Sequence, residues 1–216
     1  MGVYLNKLII TIDGPSGSGK ERIAKYISKK YKLYHLDSGI LYRRLAAIFF
    51  KKRVDLNDEQ KIKKILHSIK ILPHRRHLVL RNENIGKEAS IIATKKIIRD
   101  FINKQQRIIV KRILQVFKGC VIDGRDIGNK VFKNAQIKLF IDVSVEIRAK
   151  RRHKQLIEQG EKSIYGNILK DLKLRDKKDI NRTISPLIKS HDAILIDNSN
   201  SFKFTCNQIN SILILK

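Results

Sequence analysis

The stretch Ile9-Ile10-Thr11-Ile12-Asp13-Gly14-Pro15-Ser16-Gly17-Ser18-Gly19-Lys20 decides the fold class, because a short apolar run enters a glycine-rich loop that closes on a lysine. Glycines let a loop bring successive N–H groups onto phosphate oxygens without side-chain collisions. Lys20 adds a mobile cation at the opening of the next predicted helix, whose N-terminal N–H groups and dipole also favour anions. The spacing Gly14-x-x-x-x-Gly19-Lys20 fits the phosphate-binding P-loop pattern up to its last position. There Glu21 replaces the Ser or Thr that would touch magnesium, and Arg22 follows. Strand, loop and helix in that order predict an α/β protein of the P-loop NTPase type: a parallel sheet flanked by helices.

The remaining composition narrows the class. The chain has 216 residues, 42% hydrophobic, enough for one domain with a small inserted lobe. Apolar runs stay far below the ~18 residues of a membrane span. The N-terminal residues lack a signal-peptide layout, and Asn6 breaks a myristoylation pattern, so a cytoplasmic location is expected. Cys120 and Cys206 are too few for a disulfide framework, which fits a reducing compartment. The net charge of +27 raises nucleic-acid binding, but the lysines and arginines are dispersed and no nucleic-acid motif accompanies them. Solvated surface with weak, salt-sensitive RNA attraction is the expectation, and no specific nucleic-acid partner.

Along the chain, strands are expected at Leu8 to Ile12, Leu33 to Leu36, Cys120 to Ile122, Ile137 to Ile141 and Ala193 to Ile196. Helices are expected at Lys20 to Tyr31, Gly39 to Lys52, through most of Ala89 to Phe117, at Val145 to Gln159, Ile168 to Arg175 and Phe202 to Leu215. A core of 1–66 and 118–216 then frames a small antiparallel insert near 67–90, built on Ile69 to Leu72 and His77 to Leu80, and a helical segment near 90–117. His74 and His77 lack the further ligands a metal site needs, and none is expected.

Beyond the glycine loop, polar chemistry gathers at expected strand ends, where open α/β sheets bind ligands. The segments are Asp37-Ser38-Gly39 with Tyr42-Arg43, Asp123-Gly124-Arg125-Asp126-Ile127-Gly128, Arg148 to Arg152, and Arg175-Asp176 through Asp179 to Asn181-Arg182. Arginines converging beside a polyphosphate cradle imply a second anion, the electrostatic layout of a phosphotransferase.

These motifs, with Ser185-Pro186-Leu187, resemble the bacterial cytidylate kinase family over nearly the whole chain. The resemblance implies transfer of the ATP γ-phosphate to CMP or dCMP by a monomer, with Mg²⁺ accompanying ATP. It implies ATP binding by Gly14, Pro15, Ser16, Gly17, Ser18, Gly19, Lys20, Glu21 and Arg22, with Arg148 and Arg152 on a mobile lid near 148–167. It places CMP against Ser38, Arg43, Ser90, Arg99, Arg125, Asp126, Arg175, Asp179 and Arg182. Lys20, Arg125, Arg175 and Arg182 would carry the transfer step. Of these, Ser90, Arg99 and Asp126 would face the base. An ionised Asp126 accepts from the exocyclic amine of cytosine and repels the carbonyl of uracil; alternatively, Asp126 only orients Arg125.

The chain departs from the family pattern at two places. Glu21-Arg22 replaces a small residue followed by Thr, and the region around Gly86-Lys87-Glu88-Ala89-Ser90 is shorter than usual, which implies a trimmed insert. Kinase activity on another small acceptor, or ATP binding with impaired transfer, are the alternatives that these departures leave.

Overall fold

The computed structural model describes residues 7–69, 80 and 83–214. Five strands form one all-parallel sheet: β1 (Leu8–Asp13), β2 (Tyr34–Asp37), β3 (Gly119–Asp123), β4 (Ile137–Asp142) and β5 (Ile194–Asp197). Their spatial order is β2-β3-β1-β4-β5, so β1 and its loop sit centrally. Parallel strands need crossover helices, and these supply them: α1 (Lys20–Tyr31), α2 (Ser38–Lys51), α3 (Glu59–Ser68), α4 (Glu83–Ile92), α5 (Lys96–Val116), α6 (Val145–Glu158), α7 (Tyr165–Asn181) and α8 (Phe202–Ile214). The two faces of the sheet bury separate cores. One contains Leu36, Leu41, Leu45, Ile98, Ile102 and Ile122; the other Ile10, Ile12, Ile23, Ile27, Leu139 and Ile209.

All five strands end in aspartate at the same edge. Each then hands the chain to a loop or helix start. Asp37 caps α2 by accepting from the Ile40 N–H at 3.2 Å, and Ser144, just beyond β4, caps α6 from Ile147 at 3.3 Å.

Several elements differ from the sequence expectation. Helix α3 was not anticipated, although Asp58 caps it through Lys61 at 2.8 Å and Ile62, Ile65 and Leu66 bury one helical face. Residues 83–92 are helical, although 83–90 were expected within the small antiparallel insert, and 93–95 separate α4 from α5. Helix α7 starts at Tyr165 and runs to Asn181, longer than expected at both ends. A single π-helical turn follows Asp126, because Asp13 holds the N–H groups of Ile127 and Gly128 and widens the turn. The two strands expected to build the antiparallel insert, apart from Ile69 and Leu80, lie outside the described residues, as do His74 and His77. Among the described residues, no helix is long and apolar enough to cross a membrane.

Candidate active site

The glycine loop occupies the β1–α1 turn, with Gly19 at φ 88°. A Cβ on Gly19 would lie 2.6 Å from Nδ2 of Asn198, so this glycine is required by both backbone and neighbour. Asn198, just past β5, donates to the Ser18 carbonyl at 2.7 Å and accepts from the Thr205 hydroxyl at 2.8 Å. The Lys20 ammonium reaches back to the Pro15 carbonyl at 2.6 Å and Ser18 Oγ at 3.2 Å. Burial, and then the Arg125 charge, hold its pKa well below that of a free lysine; Asp123, Asp13 and Asp179 push the other way.

Asp13 accepts from Ile127 N at 2.9 Å and Gly128 N at 2.8 Å, tying the end of β1 to the segment after β3. Burial raises its pKa to about 6 against those two N–H groups. Beside it, Ser38 donates to the Asp123 carbonyl at 2.6 Å, and the Asp123 carboxylate meets His35 Nε2 at 2.6 Å.

Ion pairs thread the arginines together. Arg99 donates from Nη1 to Asp126 at 2.9 Å and from Nε to the Ala93 carbonyl at 2.6 Å, and both partners of the pair are buried. Arg125 pairs with Asp179 at 3.0 Å. The possibility that Asp126 orients Arg125 is therefore not what forms: Asp126 belongs to Arg99 and lies 3.9 Å from Arg182 Nη2. Arg182 also reaches Asp179 at 3.2 Å and donates to the Ser185 carbonyl, yet among the described residues its buried Nη2 has no hydrogen-bond partner. The same is true of the buried Tyr42 hydroxyl, whose pKa desolvation pushes up to about 12. Arg43 donates to the Leu80 carbonyl at 2.9 Å and packs against Gly86 of α4.

On α6, Arg148 does not stand as a free lid cation. It is buried and donates to the Val143 carbonyl at 3.0 Å, to the Ser16 carbonyl of the glycine loop at 2.8 Å, and to Asp176. Arg152 is partly exposed beside Gln155. Arg151 clamps the carbonyls of Asn198, Ser199 and Asn200 at 2.7–3.1 Å. Glu21 pairs with Lys25 at 2.6 Å.

One cavity of about 1570 Å³ gathers these groups. Its wall includes the loop from Ser16 to Arg22, Ser38 and Arg43, Ser90 and Arg99, Arg125 and Asp126, Arg148 and Arg152, and Arg175, Asp179 and Arg182. Of the expected ligand residues only Gly14 and Pro15 stay out of the wall. Sequence reasoning missed His35 and Asn198, and named Asp13 and Tyr42 only within their motifs, without a role. The strand-end position of Asp13 was a usable signal; the roles of the others depend on partners distant in sequence.

A family model described as cytidylate kinase matches residues 10–214. The chain belongs to the cytidylate kinase family. The cytidylate kinase of Thermosipho africanus is 39% identical over 214 residues, covering 94% of this chain and 92% of that protein. That of Bartonella quintana is 36% identical, covering 97% of both, and that of Cupriavidus pinatubonensis 39% identical, covering 89% of both. Membership in this family makes the chain a nucleotide kinase, in keeping with a phosphate loop and an arginine cluster in one cavity.

Proposed function

We propose that this chain transfers the γ-phosphate of ATP to CMP or dCMP, releasing ADP and CDP or dCDP. The observation that carries the proposal is the single cavity with the glycine loop and Arg43, Arg125 and Arg182 in its wall and the Arg99–Asp126 pair beside them. The loop N–H groups and Lys20 hold the donor phosphates. Arg43, Arg125 and Arg182 hold the acceptor phosphate; that Arg182 Nη2 makes no hydrogen bond among the described residues supports this role. Arg175, whose side chain lines the same cavity, neutralises charge on the moving group.

No general base is required, because the acceptor phosphate is already ionised; alignment and charge stabilisation do the work. Asp126 gives Oδ2 to Arg99, and its Oδ1, 3.9 Å from Arg182 Nη2, accepts from the cytosine amine, while Ser90 and Arg99 flank the base. Uracil would set a carbonyl against that carboxylate and leave both without a donor. Mg²⁺ fits as a companion of the ATP phosphates: among the described residues no group of three His, Cys, Asp or Glu could hold a metal by itself. When bound, the ion neutralises donor phosphate oxygens. We place the protein in the cytoplasm as a monomer, which two buried free cysteines suit.

A coupled assay of ADP release with CMP, dCMP, UMP and AMP tests the proposal. CMP or dCMP should be turned over fastest by at least tenfold. Higher rates with UMP or AMP, or ATP binding without turnover of any acceptor, would overturn it.

A further inference from the structure

Glu21-Arg22, the pair that breaks the phosphate-loop pattern, lines the side of the cavity opposite the expected CMP residues. Ser38 follows β2 and Asp126 follows β3, on one side of the central β1 loop. Asn198 and Phe202 follow β5, at the other edge of the sheet, and line the same cavity with Arg22, Arg151 and Arg152. If the first side holds the acceptor, as proposed above, the second must hold whatever is attached to the donor's triphosphate, which is a nucleoside.

That side contains a stack. The guanidinium carbon of Arg22 lies 3.8 Å from the centre of the Phe202 ring. Phe202 rests on the core beneath α1 and α8, and Tyr26 meets it edge-on at 5.9 Å, so the ring is held in place. Arg22 itself is exposed, which leaves the second face of its guanidinium to the cavity. Glu21 is engaged with Lys25 at 2.6 Å, and among the described residues no carboxylate pairs with Arg22. A planar, weakly hydrated guanidinium stacks on aromatic rings on one side and on nucleobases on the other.

We propose that Phe202 and Arg22 form the platform for the donor base, with ring, guanidinium and base as three successive layers. The departure at Arg22 is then an exchange: a hydroxyl beside the phosphates is given up and a stacking surface beside the base is gained. Because stacking reads ring area, purine triphosphates should bind more tightly than pyrimidine triphosphates on this platform.

The test is calorimetric binding in the presence of Mg²⁺ and without acceptor, so that it is independent of whether CMP is phosphorylated. The ligands are ATP, CTP and inorganic tripolyphosphate; the proteins are wild type, Arg22→Ala, Arg22→Lys and Phe202→Leu. The expected result is an ATP dissociation constant raised about tenfold in Arg22→Ala and Phe202→Leu, the scale of one lost stacking contact. Tripolyphosphate affinity should stay within about twofold, and the advantage of ATP over CTP should shrink. Arg22→Lys keeps the charge without the plane and should behave like Arg22→Ala. Thermal unfolding of Phe202→Leu without ligand checks that the fold persists; Arg22, being exposed, carries the test if it does not. Unchanged ATP affinity in the Arg22 variants, equal weakening of ATP and tripolyphosphate, or full rescue by lysine would each overturn the platform.

Discussion

In the proposed reading, Arg182 is the residue on which the acceptor side turns, because burial of its charge is costly and only partly compensated. Burial and the nearby Arg99 lower its pKa from that of a free arginine, and among the described residues its Nη2 stays without a hydrogen-bond partner. A buried donor left in this state is stabilised once a phosphate oxygen arrives. Arg182→Lys retains charge but loses the fork; kcat/KM for CMP should fall by about 10- to 100-fold, equivalent to roughly 1.5–3 kcal/mol. Steady-state kinetics with CMP varied at saturating ATP measure it.

Asp13 gives a pH prediction at the same scale. Burial raises its pKa from 3.8 to about 6, so the folded chain keeps a proton that the unfolded chain releases over that interval. The favourable contribution is complete below pH 3.8 and is lost as pH rises through about 6. Asp13→Asn cannot titrate. The stability of wild type relative to this variant should therefore decline by roughly 2 kcal/mol between pH 4 and pH 7, measured by urea unfolding at each pH.

Among the elements, α6 differs most from its expected part. The resemblance implies a mobile lid near 148–167 carrying Arg148 and Arg152, yet Arg148 and its neighbour Arg151 are anchors: Arg148 to the Ser16 carbonyl and Asp176, Arg151 to the loop after β5. Arg148→Ala would strand the partly buried Asp176 carboxylate and free the glycine loop. It should lower global stability by about 2–3 kcal/mol in urea unfolding, toward the loss seen when one partner of a buried pair is removed. Slower turnover with unchanged stability would instead mark Arg148 as a moving lid cation.

The contrast explains what the sequence could tell. The β1 loop, the Asp37-Ser38-Gly39 turn and the Asp123-Gly124-Arg125-Asp126 turn are local motifs, so their strand-end positions could be read directly. Helix α3 was legible in principle through Asp58, Ile62, Ile65 and Leu66, but its short apolar face lies in a lysine-rich stretch that masks the period. Which arginine meets which carboxylate was not legible. Arg125 chose Asp179 over the adjacent Asp126 because α7 runs past the expected Arg175 to Asn181 and carries Asp179 into the cavity.

Across the whole molecule, two opposite layouts of charge coexist. The net charge of +27 is spread over the surface, whereas the acidic residues include five that close the five strands at the binding edge. Those at Asp13 and Asp123, with Asp126 and Asp179, temper a cavity that would otherwise hold Lys20 and several arginines at close quarters. The dispersed surface charge should produce RNA binding that is indifferent to sequence and falls steeply between about 50 and 200 mM salt. A mobility-shift titration at both salts checks this, and sequence-selective binding that persists at the higher salt would contradict it.

The central claim is that one cavity seats two nucleotides with their phosphates facing each other. Calorimetry with adenosine and cytidine joined 5′ to 5′ through five phosphates tests it most directly. One molecule should bind per chain, more tightly than ATP or CMP alone, and each of those nucleotides should compete with it. Binding no tighter than that of ATP, with no competition from CMP, would contradict the claim.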